Sequence, residues 1–269
     1  MSEGKRRDTA SAAVAVDSVA DNNAKDTIGA LKLSVVIPMY NESARLAASM
    51  PKLVEYFARQ TYPYEIVVVD DGSKDGTPAL ATQLLSGLPM VRVISQQPNR
   101  GKGAAVKTGM LAAKGVFVMF CDADLATPPS ELDKFWPMLD RGYEVVIGSR
   151  KMPGANIVRH QPFWRENLGK VFTWLTDKIA THNISDVTCG FKCFSHSAAQ
   201  QVFSRSVLTD WSFDAEVLFI AQKRGYRIKE VPVTWHDEPG TKVRIVRDAI
   251  QALLGLLKIR RNYMRGVYK

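Results

Sequence analysis

Short apolar runs recur through the first half of the chain, and each stops at a cluster of polar or acidic side chains. Leu33-Ser-Val-Val-Ile37 leads into Pro38-Met-Tyr-Asn-Glu42, and Glu65-Ile-Val-Val-Val-Asp70 into Asp71-Gly-Ser-Lys-Asp-Gly76. Val116-Phe-Val-Met-Phe-Cys121 leads into Asp122-Ala-Asp124, and Glu144-Val-Val-Ile-Gly148 into Ser149-Arg150. Runs this short and this apolar suit parallel strands buried on both faces. Between the first two, Leu46, Met50, Leu53, Val54 and Phe57 recur at helical spacing. A further strand is expected at Val91-Arg-Val-Ile-Ser95, and a small-residue helix from the Asn99–Gly103 turn to about Lys114. This alternation predicts an α/β fold, a mostly parallel sheet flanked by helices. Ligands of such sheets gather outside the carboxyl ends of the strands, where the acidic clusters fall.

Beyond Arg150 the alternation weakens. Residues 151–165, with Pro153, Gly154 and Pro162, read as a loop. Helices are expected over Arg165–Thr181 and near Asp214–Arg224, and a strand over Arg227–Val233. The last stretch places Val246, Ile250, Leu253, Leu254 and Leu257 on one helical face flanked by cations. Three parts result: a disordered tail over 1–30, too polar and small-residued to bury surface; one α/β domain over 31–242; and a basic amphipathic helix over 243–269.

The net charge is +9, and from Thr241 onward eight basic residues stand against one acid, Asp248. Such a segment suits an anionic partner, a lipid headgroup surface or nucleic acid. No run approaches the ~20 apolar residues that span a bilayer. The three cysteines, Cys121, Cys189 and Cys193, form no even framework, which points to a reducing compartment. No second cysteine pair closes a zinc tetrahedron with Cys189 and Cys193.

Asp122-Ala-Asp124 is the sharpest local signal. Two carboxylates just past a buried strand can hold Mg2+ or Mn2+ and leave positions for phosphate oxygens; alone, the same triplet is also a common acidic turn. Asp70-Asp71 with Ser73 and Asp75 reads as a nucleoside-binding loop or as a turn rich in turn-formers. Calcium is rejected there, because Thr82 stands where an EF-hand needs its bidentate Glu. Asn99-Arg-Gly-Lys-Gly103 sets a cation among glycines before a helix, suited to phosphate or equally to a solvated turn. It lacks the Walker A pattern. Arg150, Arg165 and Lys242 are single cations whose interest depends on their neighbours.

Taken together these segments resemble glycosyltransferase family 2, with its GT-A fold, from about Leu33 to Lys242. The resemblance rests on Val35–Glu42, Val68–Thr77, Asn99–Gly103, Asp122–Asp124, Gly148–Arg150, Asp186–Lys192, Trp211–Glu216 and Gly240–Lys242. Within the family the chain is most similar to enzymes making dolichyl- or polyprenyl-phosphate sugars, the dolichyl-phosphate β-glucosyltransferases above all. Ala126 stands where mannosyl enzymes usually carry a metal-holding Gln. The eukaryotic glucosyl enzymes normally have an N-terminal anchor that is missing here, which makes a bacterial or archaeal polyprenyl phosphate attractive as acceptor.

The resemblance implies that Pro38, Tyr40, Glu42, Asp70, Asp71 and Ala123 line the donor pocket, with Lys102 near the donor. It implies Asp122 and Asp124 as metal ligands for Mg2+ or Mn2+, and Arg150 and Arg165 as the clamp on the acceptor phosphate. Lys242 would close over the phosphates. A phosphate monoester is largely dianionic at neutral pH, so a base that a sugar hydroxyl would need becomes dispensable. Asp214 and Glu216 are then open to reading as helix or pocket structure.

The expected activity is inverting transfer of a hexose from a nucleotide-sugar, UDP-glucose for choice, to dolichyl or polyprenyl phosphate. The alternatives are a GDP-mannose or UDP-N-acetylhexosamine donor on the same fold, or a non-catalytic membrane- or nucleic-acid-docking module. The leading reading has no nucleic-acid partner and places the protein in the cytoplasm, peripheral on the cytoplasmic face of an anionic membrane.

Overall fold

β-Branched and aliphatic residues fill strand β1 (Leu33–Met39) almost without interruption, and every position of it is buried. The same holds for β2 (Tyr64–Asp70). Uniform burial requires cover on both faces, and alternate residues supply it. Val36, Val67, Val69, Val118 and Phe120 join one hydrophobic cluster, while Val35, Ile37, Ile66, Val68 and Met119 join the other. The structure is a computed structural model and describes residues 31–159, 173–236 and 245–269.

The elements alternate as expected through α1 (Ser43–Phe57), α2 (Thr77–Leu84), β3 (Val91–Ser95), α3 (Lys102–Ala112) and β4 (Phe117–Cys121). A 3-10 turn (Pro129–Lys134) and the short α4 (Trp136–Asp140) lead to β5 (Val145–Ser149). Next come β6 (Asn156–Arg159), helical residues 173–179 (α5), β7 (Phe191–Ser195), α6 (His196–Arg205) and α7 (Phe213–Lys223). β8 (Ile228–Pro232), β9 (Thr234–His236) and α8 (Ile245–Met264) complete the order.

The main sheet has seven strands in the order β3-β2-β1-β4-β7-β5-β8. All its pairings are parallel except those of β7, which runs antiparallel to both β4 and β5. The chain winds from β1 outward to β2 and β3, then returns to β4 on the other side of β1. That reversal opens a crevice at the carboxyl ends of β1 and β4. The antiparallel β7 brings its entry, not its exit, to the same edge, since Phe191 pairs with Cys121. Gly190 and the turn before it therefore face the residues leaving β4 and β5.

Two features depart from the sequence reading. Residues 151–165 are not wholly loop, because β6 pairs in parallel with β9 in a separate two-stranded sheet. The strand at Phe191–Ser195 was not anticipated, since Lys192 at its second position looks like a solvent-facing residue. The expected tail over 1–30, residues 165–172 of the expected 165–181 helix and the segment holding Lys242 lie outside the described residues.

Helix α8 packs Leu256 and Ile259, both fully buried, against the domain and leaves Leu253, Leu254 and Leu257 exposed. Among the described residues no helix is long and apolar enough to cross a membrane.

Candidate active site

One side of the crevice, at the ends of β1 and β2, is built on loops laced to one another by neutral hydrogen-bond donors. Asp71, 2% exposed, follows β2. Its Oδ1 accepts from Gln96 Nε2 at 2.5 Å and from the Arg100 N–H at 2.8 Å. Its Oδ2 accepts from Asn99 Nδ2 and the Gly101 N–H, each at 2.8 Å. Both oxygens are occupied, so Asp71 shapes the Asn99–Gly103 turn, and its role toward a ligand runs through that turn. Asp70, also buried, accepts from the Ser73 N–H at 3.3 Å. The loop after β1 is tied to the same segment: the Asn41 and Glu42 N–H groups donate to Ser73 Oγ and Thr77 Oγ1. Pro38 closes β1 as a buried residue, Tyr40 is exposed on the rim, and Glu42 pairs with Arg45 at 3.4 Å.

The glycines of Asn99–Gly103 have a steric reason. Gly101 sits at φ +98°, and a Cβ there would lie 2.5 Å from the Thr209 carbonyl oxygen. One at Gly103 would lie 2.7 Å from the Leu208 carbonyl oxygen. The 207–211 segment therefore packs directly on the start of α3, and the Gly103 N–H donates to Thr209 O at 2.9 Å. This close approach aims Lys102 at the carboxylates past β4.

There Lys102 Nζ meets Asp122 Oδ1 at 2.6 Å and lies 5.0 Å from the centre of the half-exposed Trp211 ring. Burial lowers the Lys102 pKa, but Asp122 and Asp214 outweigh it and the net shift is upward. Asp124 shifts the opposite way. Burial and repulsion from Asp122 push its carboxyl up to about 6, against the pull of the Ala126 N–H, which donates to Asp124 Oδ1 at 3.1 Å. Leu125 takes φ 51°, a left-handed conformation rare for a branched side chain, while its side chain stays buried. Such outliers persist where surrounding structure fixes them, and they gather at functional sites. Ala123 is buried between the two aspartates.

Gly190 completes this corner. A Cβ on it would collide with both carboxylate oxygens of Asp122. Only glycine lets the turn before β7 approach Asp122 so closely.

The other side of the crevice is held by ion pairs. Arg150, just past β5, forms a two-pronged bridge to Asp186, Nε to Oδ2 at 2.7 Å and Nη2 to Oδ1 at 2.8 Å. Burial alone would raise the Asp186 carboxyl, yet the Arg150 guanidinium brings it down to about 2. Arg150 Nη2 also donates to Thr188 Oγ1 at 2.9 Å, two residues before the Gly190 that packs on Asp122, so Asp122 past β4 and the cation past β5 border the same turn. Deeper, the fully buried Lys192 pairs with Asp214 and also donates to Cys189 O at 2.5 Å. Burial raises the Asp214 carboxyl, with Lys192 and Lys102 pulling against it.

Glu216 has no freedom to act as a base either. Its Oε2 accepts the Val207 and Leu208 N–H groups at 3.0 and 2.9 Å, and Oε1 accepts Tyr268 Oη at 2.7 Å. Cys121, Cys189 and Cys193 are free and buried, and burial raises each thiol.

The family model for glycosyl transferase family 2 matches residues 34–203 of this chain. The chain belongs to that family. Curated relatives agree over most of its length. It is 32% identical to the dolichyl-phosphate beta-glucosyltransferase of Dictyostelium discoideum over 91% of this chain and 79% of that protein. It is 33% identical to the Homo sapiens enzyme of the same name, over 88% and 78%. The fold of this family 2 glycosyltransferase is similar to that of glucosyl-3-phosphoglycerate synthase from Mycobacterium tuberculosis, solved with Mn2+, UDP and glucosyl-3-phosphoglycerate. The TM-score is 0.65 at 19% identity, covering 91% and 88%. Mannosyl-3-phosphoglycerate synthase from Rubrobacter xylanophilus gives 0.64 at 19% identity, covering 88% and 75%.

The expected site residues of the glycosyltransferase thus fall into three groups. Pro38, Tyr40, Glu42, Asp70, Asp71, Lys102, Asp122, Ala123 and Asp124 cluster at the ends of β1, β2 and β4 and the start of α3. Arg150, just past β5, reaches the Thr188–Gly190 stretch that packs on Asp122. Arg165 and Lys242 lie outside the described residues. The sequence reading passed over Gly190, Asp186 and the Lys192–Asp214 pair as site-builders, although the Asp186–Lys192 motif contained three of them.

Proposed function

We propose that this glycosyltransferase moves a hexose from a UDP-sugar, UDP-glucose for choice, onto dolichyl or polyprenyl phosphate with inversion. The observation that carries the reading is a charge arrangement. Asp122 and Arg150 meet the two ends of the same short Thr188–Gly190 stretch, while Asp214 is paired with Lys192 and both oxygens of Glu216 are taken up. Among the described residues neither of these two carboxylates is a free base, which suits an acceptor that arrives already ionised, as a phosphate monoester does.

The residues fit a divalent cation of the Mg2+ or Mn2+ kind. Burial, followed by the neighbouring Asp122, pushes the Asp124 carboxyl up to about 6, and a cation held by the two carboxylates would favour their charged forms. No group of three or more His, Cys, Asp or Glu residues able to hold a metal occurs among the described residues. Asp122 and Asp124 would therefore share the ion with phosphate oxygens and water, as hard cations allow. When bound, the ion offsets negative charge developing on the departing nucleoside diphosphate.

The chain's own side chains do the rest. Pro38, Tyr40, Glu42 and Asp70 line the nucleoside pocket, and Asp71 holds the Asn99–Gly103 turn that presents Lys102 and the first N–H groups of α3. Arg150, with Arg165, orients the acceptor phosphate for attack on the anomeric carbon opposite the diphosphate. One displacement inverts that carbon and yields a β-linked lipid phosphate from an α-linked donor. Trp211 borders the same space.

Helix α8 supplies the membrane contact. Leu253, Leu254 and Leu257 are exposed beside exposed Lys258, Arg261 and Arg265. Near an anionic surface each such cation adds about 1 kcal/mol. We place the enzyme on the cytoplasmic face.

The test is a donor panel of UDP-glucose, GDP-mannose and UDP-N-acetylglucosamine with Mn2+ or Mg2+ and a short polyprenyl phosphate. Transfer from UDP-glucose above the others is expected. Transfer to a free sugar hydroxyl in preference to the lipid phosphate would overturn the reading.

A further inference from the structure

We propose that Asp186 and Glu230 form a two-step latch that fixes Arg150 for the acceptor phosphate; this rests on the function proposed above. An arginine just past a strand end is ordinarily free to sample rotamers, and locking such a side chain costs roughly 2 kcal/mol of entropy. Here the locking is already done. Asp186 Oδ2 accepts both the Arg150 backbone N–H at 2.9 Å and Nε, and Oδ1 accepts Nη2. Nη2 also donates to Thr188 Oγ1 at 2.9 Å, and the guanidinium lies 5.4 Å from the centre of the Trp235 ring. The donors on Nε and Nη2 are used, and those on Nη1 have no partner among the described residues.

Asp186 sits on a turn that no helix or strand supports, so something else must hold it. Glu230, in the middle of β8, does so. Its Oε1 accepts from Ser185 Oγ at 2.7 Å and from the Asp186 N–H at 3.0 Å, and its Oε2 accepts from the Ser185 N–H at 2.8 Å. Glu230 pairs in register with Ile147 of β5, three residues before Arg150. The sheet thereby sets Glu230, Glu230 sets the turn, and the turn sets Arg150.

Asymmetric burial separates this from an ordinary structural ion pair. The Asp186 side chain is 0% exposed, whereas that of Arg150 is 22% exposed. The carboxylate is closed off within the protein, while part of the Arg150 side chain stays open to solvent. An arginine pre-positioned in this way binds a dianionic phosphate without the ordering cost, which is what pre-organisation supplies. Asp186 and Glu230 are positioning residues, because neither needs to touch substrate.

The test uses the full chain with a short polyprenyl phosphate as acceptor and UDP with Mn2+ as the donor-side probe. Asp186→Asn is expected to raise KM for the phosphate about tenfold while changing UDP affinity less than about twofold. In an Arg150→Ala background the same change should add less than about twofold, because the residue it positions is gone. Full additivity of the two substitutions, or an equal loss of UDP affinity, overturns the latch.

A second readout does not depend on acceptor identity. In 15N spectra of arginine side chains, the Arg150 Nε–H should exchange slowly with solvent and lose that protection in Glu230→Gln. Retained protection there sinks the proposal, and this variant decides the matter if Asp186→Asn does not fold. If the wild-type chain transfers no sugar to any phosphate lipid, the function reading fails while the exchange measurement still judges the latch.

Discussion

Asp71 and Asp186 are both buried carboxylates at the carboxyl edge of the sheet, yet their partners differ in kind. Asp71 is surrounded by four neutral donors, two side-chain amides and two backbone N–H groups, all within 2.5 to 2.8 Å. Asp186 answers to a guanidinium. The same contrast divides the molecule. At the end of β2, Asp70 and Asp71 are positioned through backbone and amide hydrogen bonds. The flank formed by β5, β7 and β8 positions its groups through ion pairs, Arg150 with Asp186 and Lys192 with Asp214. Neutral donors tolerate the loss of one partner, since each net bond contributes about 1 kcal/mol. An ion pair taken out of water does not, because the surviving charge stays buried and uncompensated.

The deepest pair gives the largest expected effect. Asp214→Ala leaves the Lys192 ammonium fully buried with, among the described residues, the Cys189 carbonyl as its remaining acceptor. Urea unfolding should show a loss of about 3–5 kcal/mol. Replacing both partners together, Lys192→Met with Asp214→Leu, should recover most of it, because no charge is then stranded. If the double variant is as unstable as the single one, packing rather than charge governs this flank and the contrast with the end of β2 weakens.

Gly190→Ala tests where the two flanks meet. The three atoms nearest the new methyl all belong to the Asp122 carboxylate, which it drives off its position. Displacing a reacting group by about 1 Å can cost about 100-fold in rate. Turnover should fall by about that factor with a small change in melting temperature. A large stability loss with near-normal turnover per folded molecule would show that the contact shapes the fold and not the site.

The acid limb of the stability curve separates the flanks again. Asp186 titrates at about 2 in the folded protein, below the ordinary 3.8, because Arg150 favours its charged form. A depressed carboxyl stabilises the fold above the unfolded pKa, and that stability disappears as pH falls from about 4 through 2. The amount is on the order of 2 kcal/mol. Asp186→Asn should therefore flatten the melting temperature against pH in that window. An unchanged slope would mean that Arg150 does not hold the carboxylate.

The two flanks also differ in how much of them the sequence disclosed. β1, β2 and β4 are continuous apolar runs ending in acids, so strand and site were read from the same few residues. β7 was hidden by Lys192, whose partner Asp214 lies 22 positions away on another element. A charge in a short run reads as solvent-facing until its counter-ion is placed beside it. Asp71 was read as a pocket residue, but its tie to the Gln96–Gly101 turn emerges only once 25 to 30 intervening residues have folded. In α8 the leucines fall on more than one face. Periodicity alone did not say that Leu256 and Ile259 would meet the core while Leu253, Leu254 and Leu257 would not.

The smallest expected effect belongs to a neutral donor at the far end of the chain. Tyr268 is 5% exposed, and its hydroxyl donates to Glu216 Oε1 while the other Glu216 oxygen holds the Val207 and Leu208 N–H groups. Burial, followed by the charge of Glu216, raises the phenol pKa, so the hydroxyl stays protonated and donating. Tyr268→Phe removes that one donor, keeps the ring among its buried neighbours and should cost about 1–2 kcal/mol. Because the 207–211 segment packs on Gly101 and Gly103, any loosening reaches Lys102 and Trp211 before it reaches Arg150. UDP affinity should therefore weaken slightly, with KM for the acceptor unchanged. A change in acceptor KM alone would place the end of the chain in communication with the wrong flank.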